Sequence, residues 1–325
     1  MSSVPYSRYL FGTVPWYSVL IVIGAVFAIL IASREERRAG LPKDTIIDLA
    51  LWILPGGIIG ARIYYVIFSW EQFQNNLLSV FKIWEGGIAI YGGIIAGLII
   101  LILFSRKRHL PFLQLCDIIV PGLVLAQSIG RWGNWFNIEA YGWPVSQISL
   151  CFFPLAVQIP ADGYRWHLAT FFYESVWDFL VFIFLMISRR KLLRHQGDLF
   201  FFYVFLYAAG RFVIEEMRMD SLLASSSVRV SQLLSAILCV SVLIRYLVIL
   251  KKNGLLSRLI RFTVVPVIFL CTLFFMLYSL SGSLLSFCSS LTIILILSFN
   301  ALIMIICMFF IYHPLSVREV YHAND

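Results

Sequence analysis

The run SIGRWGNWFNIEAYG holds the side chains of this chain best suited to gripping an anion. Arg131, Asn134 and Asn137 recur every third residue, so on a helix they share a face. A guanidinium forks onto two phosphate oxygens, and carboxamide donors orient what it holds. A charge in hydrocarbon costs about 2.5–3.5 kcal/mol on insertion scales, so such residues in an apolar segment face a cavity. The competing reading is a polar loop at the membrane interface that binds nothing.

Three more clusters have chemical potential. Tyr207, Arg211 and Glu215 are spaced by four and Arg218 follows by three, which makes one helical stripe. Arg211 and Glu215 are expected to pair, since either charge buried alone is costly. A structural brace between helices would have the same signature. In WHLATFFYES, Glu174 stands at the mouth of an apolar segment and invites an arginine partner, while His167 reads as interfacial rather than catalytic. In WEGGIAIYGGIIAG, Tyr91 is flanked by glycines and has room for a substrate beside it. A phenol there donates a hydrogen bond, or acts as a base if a nearby cation lowers its pKa from about 10. Gly86, Gly87, Gly92, Gly93 and Gly97 suit close packing of backbones equally well. Arg62 lies inside another apolar run, with Asp117 or Glu174 as expected partners.

These clusters need elements to carry them, and composition says which. The chain has 325 residues, 61% of them hydrophobic and only 13% charged, with a mean hydropathy of +0.89. Soluble domains carry about 25% charged residues, so this is an integral membrane protein. The net charge of +8 suggests nucleic acid until the basic residues are located. They sit in short loops between apolar runs, the pattern of membrane topology, and nucleic acid is excluded as a partner.

Apolar runs long enough to span, about 20 residues each, lie near 15–33, 46–68, 87–105, 112–130, 169–188, 198–216, 229–249, 262–281 and 289–312. Loops after the odd-numbered runs carry Arg34, Arg37, Arg38 and Lys43; Arg106, Lys107 and Arg108; Arg189, Arg190, Lys191 and Arg194; Lys251, Lys252, Arg258 and Arg261; and Arg318. The positive-inside rule then puts the N-terminus outside, the C-terminus in the cytoplasm, and the first run as an uncleaved span. Residues 131–168 form the longest extracytoplasmic loop. Its Trp132, Trp135, Tyr141, Trp143, Tyr164 and Trp166 suit the membrane boundary, and its prolines break any long helix.

The six cysteines, Cys116, Cys151, Cys239, Cys271, Cys288 and Cys307, are scattered and fit neither a metal site nor a disulfide framework. No GxSxG, P-loop, dinucleotide-binding glycine run or Ser/Lys dyad occurs. An enzyme built this way is expected to need no metal or cofactor and to take its nucleophile from a substrate.

The pieces PWYSVLIVIG, GGIIGARIYYVIF, IWEGGIAIYGGIIAG, SIGRWGNWFNIEAYG, HLATFFYES and YAAGRFVIEEMRMDSL followed by VRVSQLLS occur in that order over about residues 15–250. In order and spacing they resemble the bacterial prolipoprotein diacylglyceryl transferases of Gram-positive type, and GRWGNWFNIEAYG carries most of the specificity. The resemblance implies an all-α polytopic membrane enzyme with a seven-span core, residues 1–250. Residues 251–325 would add two C-terminal spans, with packing or lipid anchoring as their expected role. It implies transfer of a diacylglyceryl group from phosphatidylglycerol to the lipobox cysteine of a preprolipoprotein, with release of glycerol 1-phosphate. Residues and resemblance together give Arg131, Arg211 and Tyr91 as catalytic candidates. Arg131, Asn134, Asn137, Gly142, Tyr207, Glu215 and Glu174 are the substrate-binding candidates. Many members of the family carry histidine where this chain has Tyr91, which favours positioning over base catalysis there. A lipid or anion transporter and a non-catalytic capture protein are the rivals. The absence of internal repeats counts against the first, and the complete arginine set against the second.

Overall fold

The computed structural model describes residues 7–191, 195–221, 229–257, 260–281 and 290–322; Arg194, Arg258 and Cys288 lie outside them. Long helices dominate: α1 (Trp16–Arg38), α2 (Thr45–Phe68), α3 (Ile90–Arg108), α4 (Phe112–Asn137), α5 (Thr170–Lys191), α6 (Asp198–Met217), α7 (Val230–Lys252), α8 (Val265–Ser281) and α9 (Ser290–His322). Among the described residues, seven of them are long and apolar enough to cross a membrane, and the chain is a multi-pass membrane protein. The other two are α6 and α8. Asp198, Arg211, Glu215 and Glu216 make α6 too charged, and α8 has only 17 residues, against about 20 for a full span.

Local signals explain where the helices begin and stop. Arg37 and Arg38 in α1, Arg106 to Arg108 in α3, and Lys251 and Lys252 in α7 occupy last turns, where the helix dipole favours cations. Buried Glu36 accepts the backbone N–H of Ile46 at 2.6 Å and of Asp44 at 2.9 Å, so a carboxylate satisfies free donors at the start of α2. Gly197, at φ 93°, supplies the left-handed turn that opens α6.

The chain divides into two compact units, Met1–Ala25 with Leu123–Asp325, and Val26–Gly122. In the second unit, α2 and α3 pack with almost no side chain between them. A methyl group on Gly60 would meet Ala96 and the Gly92 carbonyl, and one on Gly92 would meet Tyr64 and the Gly60 carbonyl. The packing role expected of these glycines holds here; Gly97, by contrast, has nothing near it. Arg62 departs from the expected acid partner. It donates to the backbone carbonyls of Val80 (2.8 Å), Ser79 (2.7 Å), Gly86 (2.7 Å) and Gly87 (2.7 Å), tying residues 79–87 to α2. Its guanidinium also lies 5.1 Å from the Phe73 ring centre.

In the first unit the segment after α4 is a compact loop. Strands β1 (Ala156–Ile159) and β2 (Arg165–Leu168) pair antiparallel, with Ala156 opposite Leu168 and Ile159 opposite Arg165. A small core of Ala140, Val157, Ile159, Ala169 and Phe171 lies beneath, with Trp132, Trp135 and Tyr141 packed on it. The loop is thus structured, as its aromatic density implied, but it begins after Asn137: α4 runs seven residues past the expected end of its span.

The C-terminal helices grip α6 along its length. Phe275 of α8 lies flat on Phe212, with ring centres 3.9 Å apart, and the Tyr278 hydroxyl bonds Glu216. At the other end, Tyr312 of α9 donates to Asp198 at 2.5 Å and Tyr246 of α7 at 2.8 Å. Phe309 packs on Phe184 and Phe202. Among the described residues beyond 252, Phe275, Tyr278, Phe309 and Tyr312 thus pack on or bond to α6.

Candidate active site

Three helices of the first unit are pinned together at one level. Ser128 of α4 and Ser175 of α5 each donate to the other's carbonyl at 2.8 Å. Gly210 of α6 leaves space that the Trp177 ring fills, and Trp177 Nε1 donates to the Leu206 carbonyl at 3.0 Å. Arg131 is one turn beyond Ser128, Glu174 one residue before Ser175, and Arg211 one residue after Gly210. The two contacts between small or hydroxylated residues therefore aim the charged side chains at each other.

Glu174 is the hub. Its Oε1 lies 2.5 Å from Arg131 Nη2, and both its oxygens accept from Arg211 Nη1, at 3.1 and 3.0 Å. Arg218 Nη1 approaches at 3.8 Å. Arg211 Nη2 is also 2.6 Å from Glu215 Oε2, the intrahelical pair expected from their spacing. Tyr207, one turn earlier, hydrogen-bonds Arg131 and stacks on Tyr203 with centres 5.7 Å apart. Tyr203 in turn donates to Gln127 of α4 at 3.0 Å.

Exposure sorts the charges. The Glu174 side chain is 2% accessible, whereas Arg131 keeps 21% and Arg211 16%. The anion lies behind and the cations in front. A second anionic group reaching those guanidiniums would meet donors already oriented by a carboxylate, which lowers the reorganisation needed to bind it. Removing the hub would strand buried positive charge, so the pairing is also structural.

The structure brings Arg131, Tyr207, Arg211, Glu215 and Glu174 together. Asn134 and Asn137 follow another partner, although α4 is helical through both. Their amides donate to Glu139 Oε1 at 2.9 and 3.2 Å, and Asn137 Oδ1 accepts from Arg8 at 3.0 Å. These bonds fold Glu139 back onto the end of α4. Gly142 is a backbone position. Its N–H donates to the Leu168 carbonyl at 2.8 Å, and a methyl group there would meet the Met217 carbonyl, Thr170 and Leu168. Trp143 N–H reaches the Met217 carbonyl at 3.0 Å, so this point docks the loop onto the end of α6. His167 is buried, not interfacial: its ring nitrogens face the Gly142 carbonyl and Asp162 Oδ2, each at 2.9 Å. Tyr91 belongs to the second unit, in the first turn of α3, with its ring 6.5 Å from that of Tyr64.

Some neighbours of the site were not singled out from the sequence. Asp178, one turn after Glu174, is fully buried, and neither carboxylate oxygen has a hydrogen-bond partner among the described residues. Its spacing of four from Glu174 was the available signal. Tyr17 of α1 packs its ring into the space left by Gly133, for which the sequence offers no signal. Arg218, which the spacing placed on the α6 stripe, instead falls just past the helix end and forks onto Asp220, with both contacts at 2.9 Å. Burial works against the Arg218 charge, yet the bond and charge of Asp220, with Glu174 and Glu215, hold its pKa above the ordinary value. Burial likewise opposes the Asp220 anion, and Arg218 overcomes it, so that carboxyl titrates below its usual range.

The profile of the family described as prolipoprotein diacylglyceryl transferase matches residues 8–248. Among similar proteins, the phosphatidylglycerol–prolipoprotein diacylglyceryl transferase of Halalkalibacterium halodurans is 44% identical over 236 residues, covering 71% of this chain and 81% of that protein. Those of Limosilactobacillus reuteri (45% over 249 residues, 74% of this chain and 89% of that protein) and Streptococcus mutans (44% over 239 residues, 73% and 91%) are comparable. With the arginine cluster carried on the matched stretch, the chain belongs to the prolipoprotein diacylglyceryl transferase family.

Proposed function

We propose that this chain moves the diacylglyceryl group of phosphatidylglycerol onto the lipobox cysteine thiol of a preprolipoprotein. It works in the bacterial plasma membrane, with the N-terminus outside, the C-terminus in the cytoplasm and the arginine cluster on the outer side. The family core is residues 1–250, and 251–325 are an added extension. The observation that carries the reading is the pair of arginines on separate helices. Both are held by buried Glu174 and both keep an accessible edge, in a chain of this family.

In the transfer a carbon–sulfur bond forms at the glyceryl carbon while the carbon–oxygen bond to phosphate breaks. The thiol gives up its proton to water, and glycerol 1-phosphate departs carrying the bonding pair as a phosphate monoester. Charge therefore gathers on the phosphate, where Arg131 and Arg211 stabilise it most at the transition state. Tyr207 and Glu215 keep the two guanidiniums facing the lipid headgroup. Asn134 and Asn137, through Glu139, and Gly142, through the docked loop, shape the entrance. Tyr91 positions substrate.

The test combines purified protein, phosphatidylglycerol and a lipobox peptide, following glycerol phosphate release and peptide mass together. A diacylglyceryl mass increase on the peptide, absent when its cysteine is serine, is the expected result. Folded protein that binds the lipid but never modifies the peptide would overturn the reading.

A further inference from the structure

On the face of the α5–α6 pair turned away from the arginine cluster, the first unit contains an apolar groove of about 540 Å³. Its walls are Tyr173, Val176 and Leu180 of α5, and Ala209 and Val213 of α6. The remaining wall is Ser298, Ala301 and Leu302 of α9. Those α9 residues lie beyond the stretch that matches the family, residues 8–248. The groove exists because α9 meets its neighbours unevenly. Phe309 is seated against Phe184 and Phe202, with ring centres 5.6 and 5.7 Å apart. Two to three turns earlier, α9 presents small Ser298 and Ala301 to small Ala209 and Gly210, and the helices leave a gap.

We propose that this groove holds one acyl chain of a membrane phospholipid. Its dimensions fit that occupant. From Phe172 to Leu180 it follows α5 for about 12 Å at 1.5 Å per residue, close to half of a hydrocarbon core about 30 Å thick. It starts beside Pro154 and Leu155 of the loop, whose aromatic residues suit the membrane boundary, and ends near the Phe309 contact. Its volume lies in the range of small-molecule sites. It is also continuous with the surface that the bilayer covers: Val176, Leu180 and Leu302, 40%, 53% and 53% exposed, form its rim. A chain entering sideways from the lipid would exchange loose lipid contacts for fixed ones. Trp177 and Gly210, whose contact joins α5 to α6, line the groove, whereas Arg131, Glu174 and Arg211 do not. The site is therefore separate from the transfer chemistry and does not rest on it.

The test places the full-length protein in nanodiscs containing phosphatidylglycerol with a photoactivatable diazirine in one acyl chain, and maps the labelled residues by mass spectrometry. Label concentrated on Val176, Leu180, Ala301, Leu302 and Ile305, well above that on Phe299 of α9 and on Ile244 and Val248 of α7, which are exposed but do not line the groove, is expected. Ala301→Trp should remove most of it, while Ile244→Trp on the exposed face of α7 should not. Phosphatidylethanolamine bearing the same probe should label the same residues, because the chain and not the headgroup is held. Even labelling around α9 in the unaltered protein would overturn the proposal without recourse to any variant. Retention of full groove labelling in a folded Ala301→Trp protein, or labelling by phosphatidylglycerol alone, would do the same.

Discussion

At the scale of single residues, the site is one carboxylate shared by guanidiniums, and that arrangement makes its parts unequal. On the proposed mechanism, replacing Arg131 or Arg211 by alanine takes a donor from the developing phosphate charge, and each is expected to lower the transfer rate by about 10²–10³. Unchanged rates in both variants would remove them from the chemistry. Arg211→Lys should fall between, because a single ammonium does not reproduce the guanidinium's contacts with Glu174 and Glu215. For Tyr91, loss of the ring should cost more than loss of the hydroxyl. Steady-state rates for Tyr91→Phe above those for Tyr91→Ala are expected, and equal, complete loss in both would give the hydroxyl a chemical part. The Arg211–Glu215 pair and the arginine partnership of Glu174 were legible because helical spacing and the cost of a lone buried charge dictate them. The bonds of Arg62 were not, since backbone carbonyls can be supplied by any sequence. Nor was the turn of Asn134 and Asn137 toward Glu139, which depends on how the chain leaves the helix.

At the scale of elements, each of the nine apolar runs became a helix, because a bilayer leaves the backbone few other ways to satisfy its hydrogen bonds. The ends were less legible. Hydropathy falls where α4 becomes polar, yet the helix continues to Asn137, because its last turns pack Trp132 and Trp135 on the loop core. The partners of α6 were also hidden, since nothing in an apolar run names the helix it will touch. One of those contacts is open to test. Phe275 of α8 lies flat on Phe212, the residue after Arg211, and such ring pairs contribute about 1 kcal/mol beyond the area they bury. Phe275→Ala is expected to lower the melting temperature in detergent and to weaken transfer, with Phe275→Leu closer to the unaltered protein. Transfer rates that ignore both changes would show that α8 does not steady the arginine-bearing end of α6.

For the whole molecule, charged α6 is shielded by the helices C-terminal to it. Asp198 at its start accepts from Tyr246 of α7 and from Tyr312 of α9. A hydrogen bond to a charged group contributes about 1.5–3 kcal/mol. Tyr312→Phe is therefore expected to lower thermal stability measurably, and Tyr246→Phe in the same protein to add less than its separate effect, because the two share one acceptor. Additive losses would show that the hydroxyls act independently. This arrangement also sets an order in time. A chain emerging from the ribosome releases α6 about 95 residues before Tyr312, and domains take shape from the N-terminal side during synthesis. Until α9 has been made, the helix that carries Arg211 must reside at the translocon or in lipid without that partner. Helix α6 would then be among the last to settle, held open until a helix made well after it arrives to close its acidic start.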